Sequence, residues 1–551
     1  MRRRPLSIAV TAAAVALTLL ASACGRSLSS ADSGGSTAGN ISPTADLVST
    51  TPAGAKPVSQ AVWAVYRDVN SLDPAFAFDY PENTAVSLMC ESLLLQKASG
   101  AISPGLATLT TPTQKSLVFT INPKATFWDG HPVTPADVIY SLDRQMNPSL
   151  GGFYGQVFSR VTSIAQTGSD QVTITLKEPD YWLEGELASM AGIVIEKSYA
   201  VKEGKNYGTP AGGIMCTGPY QLTSWSPSAG VVATADPHYW RGTTPLVKQI
   251  TLTGVPDNND LTAGLETGAI QGTYASGGIP TLGQLRQNKA VKVYQGPGWA
   301  TDAMIVTASS GPLANVKVRQ ALSLALNRQS IINSVYKGAA LMPKWLANPG
   351  AFGYGASVFD RAYQASPTLS QNLAEAKKLI AQAGVAGQTI TIGTTSEVST
   401  IAFETGAYQQ AATAIGLKVA LKSVSAQDFV NFFTDPSYRK GIDMVPTVNY
   451  GDYADPAALL ATVVLPGASQ NYDKYDDPQL TTLLNQAQGT ANPDQRAALV
   501  AKAEQRAAVT LPWIPTVDPT NVLVMSSKLT GATGSFAYMF APWATSLGGV
   551  G

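Results

Sequence analysis

The chain has 551 residues, too many for one simple hydrophobic core, so it is expected to divide into lobes. Lysine plus arginine number 37 and aspartate plus glutamate 37, giving zero net charge, and charged residues make up only 13% of the chain. That balance offers no basic stripe for a phosphate backbone, so no nucleic-acid partner is expected.

Arg2, Arg3 and Arg4 precede an apolar segment over 6–20, which ends in Leu20-Ala21-Ser22-Ala23-Cys24. The apolar run is too short for a comfortable membrane span and reads as a signal peptide over 1–23. Cleavage before Cys24 leaves an N-terminal thiol; in the bacterial lipoproteins that this segment resembles, that thiol carries a diacylglyceryl group, with palmitate among the expected chains. Two or more chains, at about 0.8 kcal/mol per buried methylene, anchor stably. Ala21 departs from the lipobox, where leucine is more usual, and a plain secretory signal cut near Ala23 is the alternative. Residues 24–56 are mostly Ser, Gly, Ala, Thr and Pro, the composition of a flexible tether. Past the signal segment no run is long and apolar enough to cross a bilayer. The body is therefore expected at the outer face of the cell membrane, exported and lipid-anchored.

Along the body, residues 62–69 pattern as a strand, followed by the turn Asn70-Ser71-Leu72-Asp73-Pro74 and a helix near 84–95. A strand is expected at 117–121. A turn at Phe127-Trp128-Asp129-Gly130 leads to Thr134 as N-cap and Pro135 at the first helical position. Alternation predicts a half-buried strand at 172–176. Apolar spacing predicts one long amphipathic helix over 316–336. A further helix begins after Ser370, buries Leu373, Ala376, Leu379, Ile380 and Ala383, and stops at Gly384. Helices near 403–415 and 493–509 and strands at 389–392 and 417–421 complete a separate α/β region. The absence of a regular βαβ repeat argues against a barrel or a single doubly wound sheet.

Cys90 and Cys216 are the cysteines of the body. In an oxidising exterior they are expected to form one disulfide, against two separate buried thiols. His131 and His238 stand far apart, beside Gly130 and Pro237, without metal-ligand spacing, so neither a metal nor a cofactor is expected. Ser334-Val335-Tyr336-Lys337 has Ser-x-x-Lys spacing but no companion Lys-Thr-Gly, and there is no nucleophile elbow or phosphate loop. An enzyme is not expected.

Six segments in register resemble the solute-binding proteins of peptide-import ABC transporters, the oligopeptide- and dipeptide-binding family (family 5), in a form of the actinobacterial lipoprotein type. They are Ser71-Leu72-Asp73-Pro74 with Cys90-Glu91-Ser92-Leu93; Phe127-Trp128-Asp129-Gly130 running to Ala136-Asp137-Val138; Thr217-Gly218-Pro219-Tyr220; Tyr239-Trp240-Arg241-Gly242; Val318-Arg319-Gln320-Ala321-Leu322; and Ala374-Glu375-Ala376-Lys377-Lys378-Leu379 with Ala383-Gly384. Most of these are expected to shape the fold: Gly218-Pro219 as a turn, Arg319 as a cap or pair within its lobe, Trp240 as packing.

The resemblance implies an α/β, two-lobed periplasmic-binding-protein-like fold (type II, cluster C) with three subdomains. The first lobe is expected over 57–92, 208–311 and 512–551, with 93–207 inserted as a subdomain, and the second lobe over 312–511. It also implies a monomeric binding protein that delivers oligopeptides from an interlobe cleft to an ABC permease and its ATPase subunits.

Gly451-Asp452-Tyr453-Ala454-Asp455-Pro456 resembles the loop whose first aspartate meets the α-ammonium of a bound peptide in the family, which gives that role to Asp452. A turn-forming role for Asp452 is the alternative, and Asp455 is the better purely structural candidate. Val448, Asn449 and Tyr450 on one side, and Ala75 and Phe76 on the other, are expected to line the cleft and hold the ligand as an added strand. Residues 393–400 lack the arginine of dipeptide specialists, which argues for longer peptides. It also leaves open a non-peptide solute such as haem, a metal chelate or an oligosaccharide, and a regulator of envelope synthesis that no longer transports.

Overall fold

The computed structural model describes residues 47–551 apart from 228 and 276. The expected signal peptide, Cys24 and the first part of the tether lie outside the described residues. Residues 47–56, expected in the tether, are instead tied to the body: Val48 N–H donates to Gln295 O (2.7 Å) and Thr51 N–H to Ala532 O (3.2 Å). Lys56 bridges Gly549. Backbone pairing of this kind needs no large apolar side chains, so composition alone does not reveal it.

Three larger sheets organise the fold. A seven-stranded sheet runs Val291–Gly296, Asn521–Ser526, Gly272–Tyr274, Ala61–Val65, Gln249–Gly254, Gly230–Ala235, Tyr220–Ser226. A six-stranded sheet runs Ala340–Leu341, Trp513–Pro519, Ala300–Val306, Met444–Tyr450, Thr389–Thr394, Lys418–Ser423. A four-stranded antiparallel sheet, Ala107–Thr113, Ser116–Ile121, Gln171–Leu176, Val161–Gln166, lies within the expected insertion. Together they make the two-lobed α/β architecture with three subdomains.

The chain passes between the two larger sheets twice, from Val291–Gly296 into Ala300–Val306 and from Trp513–Pro519 back into Asn521–Ser526. Ala300–Val306 and Trp513–Pro519 thus pair in the second sheet, although boundaries at 311/312 and 511/512 would put them in the first lobe. The two crossings touch at Gly298: a Cβ there would sit 2.5 Å from Pro519 O, so only glycine fits.

Local chemistry explains where elements begin and end. The first strand is Ala61–Val65, shorter than expected, and beyond it Arg67 turns inward to Glu82 (2.8 Å) and Asp79 (2.6 Å). The helix expected near 84–95 is Tyr80–Met89, because the Asp79 carboxylate caps Tyr80 N–H (2.7 Å), Pro81 sits in the first turn and Cys90 is extended. The single helix expected over 316–336 is two, Val316–Ala325 and Arg328–Ser334. Asn327 opens the second by accepting from Ser330 N–H (3.0 Å), and the buried Arg328 donates to Ser323 O (2.6 Å) at the end of the first. In Leu373–Ala383 the buried stripe is Ala376 and Ile380; Leu373 is exposed, contrary to expectation, and Gly384 closes the helix with φ 67°. The helices Pro135–Met146, Ser399–Ala414 and Pro493–Thr510 and the neighbouring strands fall where expected within a few residues.

The shared motifs are joints. Asp73 pairs with Arg144 and accepts from Ala75 N–H (3.0 Å). Glu91, buried, accepts from Tyr239 Oη (2.9 Å), Trp240 Nε1 (2.6 Å) and Arg241 Nε (2.8 Å), so two motifs far apart in sequence form one clamp. Asp137 accepts from the backbone N–H of Thr134 and of Lys197, both at 3.0 Å. Arg319 donates to Leu313 O (2.7 Å) and Thr510 O (2.8 Å), the capping role expected of it. Cys90 and Cys216 are joined by a disulfide, Cα to Cα 5.0 Å.

Candidate functional site

Between the seven- and six-stranded sheets lies a cavity of about 160 Å³. One wall carries Trp63, Tyr66 and Tyr80; the other carries Asp302, Glu404, Thr447 and Val448. A second, larger cavity of about 810 Å³ is lined by Tyr154, Asp180, Glu186 and Asp452, between the expected insertion and the loop that follows Met444–Tyr450.

Met444–Tyr450 connects them. Along one edge it pairs over its whole length with Ala300–Val306, while along the other it meets Thr389–Thr394 only at Met444 opposite Ile392. The edge of 447–450 therefore has no neighbouring strand among the described residues. Val448 O accepts from Tyr80 Oη (3.1 Å), on the side away from Ala300–Val306. A strand residue directs its N–H and C=O to the same side, so Val448 N–H also points to the open edge.

Asp452 is half-buried, with its carbonyl accepting from Gln96 Nε2 (2.6 Å) and its carboxyl beside that of Glu186. Burial pushes Asp452 up to about 7. Burial, then the nearby Asp452, push Glu186 well above the usual carboxylate range. Glu186 Oε2 has no hydrogen-bond donor, and among the described residues no cation pairs with either carboxyl. Such a pair favours a cation brought by a ligand, since an unpaired buried charge is costly. Asp455 differs: it caps the helix Pro456–Val464 by accepting from Ala457 N–H (2.8 Å).

The other expected site residues are placed as follows. Tyr450 is buried, its hydroxyl donating to Phe78 O (2.9 Å) and accepting from Asn83 Nδ2 (3.1 Å). Asn449 donates to Gln470 Oε1 (2.6 Å). Ala75 N–H and C=O are both bonded inside the protein, to Asp73 and to Phe153 N–H (2.8 Å). Phe76 N–H donates to Asp73 O (2.9 Å). Val448 lines the smaller cavity and Asp452 the larger, whereas Asn449, Tyr450, Ala75 and Phe76 line neither.

Glu186, Asp302 and Glu404 were not foreseen. The missed clue for Glu404 was its place on the buried face of its helix, one turn before Tyr408. Tyr336, within the Ser-x-x-Lys tetrapeptide, donates its hydroxyl to Asp302 Oδ2 (2.6 Å). His131 lies in its turn between Asp129 (2.8 Å) and Glu196 (3.2 Å), which raise its pKa. Among the described residues no helix is long and apolar enough to cross a membrane.

Residues 101–471 match the family described as bacterial extracellular solute-binding proteins, family 5 Middle. The chain is 25% identical over 491 residues to the periplasmic oligopeptide-binding protein OppA of Escherichia coli, covering 85% of this chain and 88% of that one. It is 27% identical over 483 residues to the glutathione-binding protein GsiB of Pectobacterium atrosepticum, covering 86% and 91%. Its fold matches that of the periplasmic binding protein DppA from Helicobacter pylori in complex with the peptide STSA, with TM-score 0.79, 21% identity and coverage of 90% and 99%. With the family match spanning most of its length, the chain belongs to the family 5 extracellular solute-binding proteins.

Proposed function

We propose that the protein captures oligopeptides and presents them to an ABC permease, with Asp452 receiving the α-ammonium. The observation that carries this reading is the Asp452–Glu186 pair, two half-buried carboxyls that line a cavity and have no cation partner among the described residues. No backbone N–H donates to the Asp452 carboxyl among the described hydrogen bonds, so the turn-forming role has no support, whereas Asp455 has that role. The open edge at Val448 supports strand-like holding of the ligand backbone, with the main chain supplying affinity and side chains left to roomy pockets. The peptide named with the DppA structure and the name of OppA favour the same class of ligand. Lobe I would be built on the seven-stranded sheet and lobe II on the six-stranded one. They would exchange at 297–299 and at Thr520, and closure about these crossings would be the state the permease reads.

The test is calorimetric titration of the body with a mixed tri- to pentapeptide pool and with the same pool N-acetylated. The free pool is expected to bind and the acetylated pool to fail. Equal binding of both would remove Asp452 from the ammonium role, and no binding of either would move the reading to a non-peptide solute or a regulator.

We further propose anchoring through a lipid on Cys24. Cys24→Ser is expected to shift the protein from the membrane fraction to the soluble one; unchanged membrane retention would refute the anchor.

A further inference from the structure

The cavity between the two large sheets contains an acidic pair that the ammonium role of Asp452 does not use. Asp302 is 2% exposed and Glu404 5%. Asp302 comes from the central strand Ala300–Val306, directly opposite Val448, and Glu404 from the helix Ser399–Ala414. Their carboxyls are close enough to hydrogen-bond when one is protonated. Asp302 Oδ2 accepts from Tyr336 Oη and Glu404 Oε1 from Thr516 Oγ1 (3.0 Å), and apart from the proton the two acids share, Asp302 Oδ1 has no donor among the described residues. The buried cations nearby are engaged elsewhere: Arg67 with Asp79 and Glu82, Arg328 with the carbonyls of Ser323 and Pro515. Trp63, on the opposite wall of the same cavity, has a buried Nε1–H without an acceptor, a second polar atom left for something other than the protein.

The remaining lining is largely apolar: aliphatic side chains such as Leu261, Ile279 and Val398, with the rings of Phe429 and Phe433 joining those of Tyr66 and Tyr80. Ring faces attract a desolvated cation, and a carboxyl pair supplies its counter-charge. We propose that this cavity takes an alkylammonium or guanidinium group of the ligand, seated between the Asp302–Glu404 pair and the aromatic rings. The protein would thereby select solutes carrying a cation besides any ammonium held at Asp452.

The inference deepens the peptide reading and rests on it for the source of the cation, a lysine or arginine side chain. Val448, opposite Asp302, lies four positions before Asp452, at most about 13 Å of extended chain. That span is no longer than a short peptide.

Seating the cation favours ionisation of both acids. Burial pushes Asp302 up to about 6 and Glu404 well above the carboxylate range; the phenols Tyr336, Tyr80 and Tyr408 beside them stay neutral, and on the facing wall Asp79 is paired with Arg67 and accepts from Tyr66 Oη. Binding at neutral pH is thus expected to release protons, which calorimetry in two buffers of different ionisation enthalpy reads directly.

The experiment titrates the wild type and Glu404→Gln with trialanine, Ala-Lys-Ala, Ala-Ala-Lys and agmatine. At least one lysine tripeptide is expected to bind the wild type about tenfold or more tightly than trialanine, with proton release, and Glu404→Gln is expected to bring the ratio of lysine-peptide to trialanine affinity down to about one. Equal affinity for trialanine and both lysine peptides would overturn the cation subsite and leave the peptide reading intact. A lysine advantage that survives in a folded Glu404→Gln would also overturn it. Binding of agmatine alone, lost in Glu404→Gln, would uphold the subsite and overturn the peptide reading. Failure of every probe would overturn both.

Discussion

Asp452→Asn is expected to weaken binding of peptides with a free N-terminus by about two orders of magnitude, since truncating one partner of a buried charge pair costs roughly 2–5 kcal/mol. N-acetylated peptides, which bind poorly already, should lose almost nothing. The empty protein should melt at the same temperature or slightly higher, because the change removes a buried carboxyl that no protein cation balances. A large loss of stability would mean instead that the side chain shapes the loop. The pH dependence has a definite sign. Burial holds Asp452 at about 7 in the folded protein, whereas an unfolded aspartate titrates near 3.9. Between about pH 4 and 7 the folded empty protein therefore binds more protons than the unfolded chain, and its stability falls as pH rises. A ligand ammonium needs the ionised form, so its affinity rises with pH through about 7 in the wild type. Asp452→Asn should flatten both trends, with Glu186 left to supply a residual slope. Titrations and melts at pH 5.5, 7 and 8 check both signs; equal affinity of the wild type at all three would remove the carboxylate from the site.

How far the sequence speaks depends on whether a role is local. Asp455 before Pro456, Thr134-Pro135 and Gly384 after an apolar run are start and stop signals written within a few residues, and each sits where its chemistry directs. The break at Asn327 was equally local but was outweighed by apolar spacing that continues across it. Glu91 shows the opposite case. Its partners Tyr239, Trp240 and Arg241 lie about 150 residues on, and a pairing at that distance is set by topology. The site divides in the same way. Asp452 stands in a recognisable loop, whereas Glu186 and the Asp302–Glu404 pair arise only where separate elements converge on a cavity. Ala75 and Tyr450 illustrate a further limit. Ala75 has both backbone groups bonded inside the protein and Tyr450 has its hydroxyl bonded there, which no local pattern states.

Reducing the Cys90–Cys216 disulfide, or replacing both residues by alanine, is expected to lower the unfolding free energy by about 4 kcal/mol, within the usual range of roughly 2–5. The bond closes a loop with a sequence separation of 126, and loop entropy alone sets a ceiling near 5 kcal/mol for that length. Its position makes the loss specific. Cys90 ends the helix Tyr80–Met89, and Cys216 precedes Gly218, whose N–H donates to Met89 O (2.9 Å). The bridge thus fastens the neck through which the chain leaves the first sheet for the four-stranded sheet and returns. A second clamp at the same neck needs no sulfur: Glu91, the next residue, still holds Tyr239, Trp240 and Arg241 after reduction. The reduced protein is therefore expected to stay folded and to bind ligand at 25 °C, while its urea midpoint falls and proteases cut first within 90–216. Coincident urea midpoints for oxidised and reduced protein would refute the loop-entropy contribution. Loss of binding on reduction would show that the neck positions the Glu186 side of the cavity, tying the disulfide to function as well as stability.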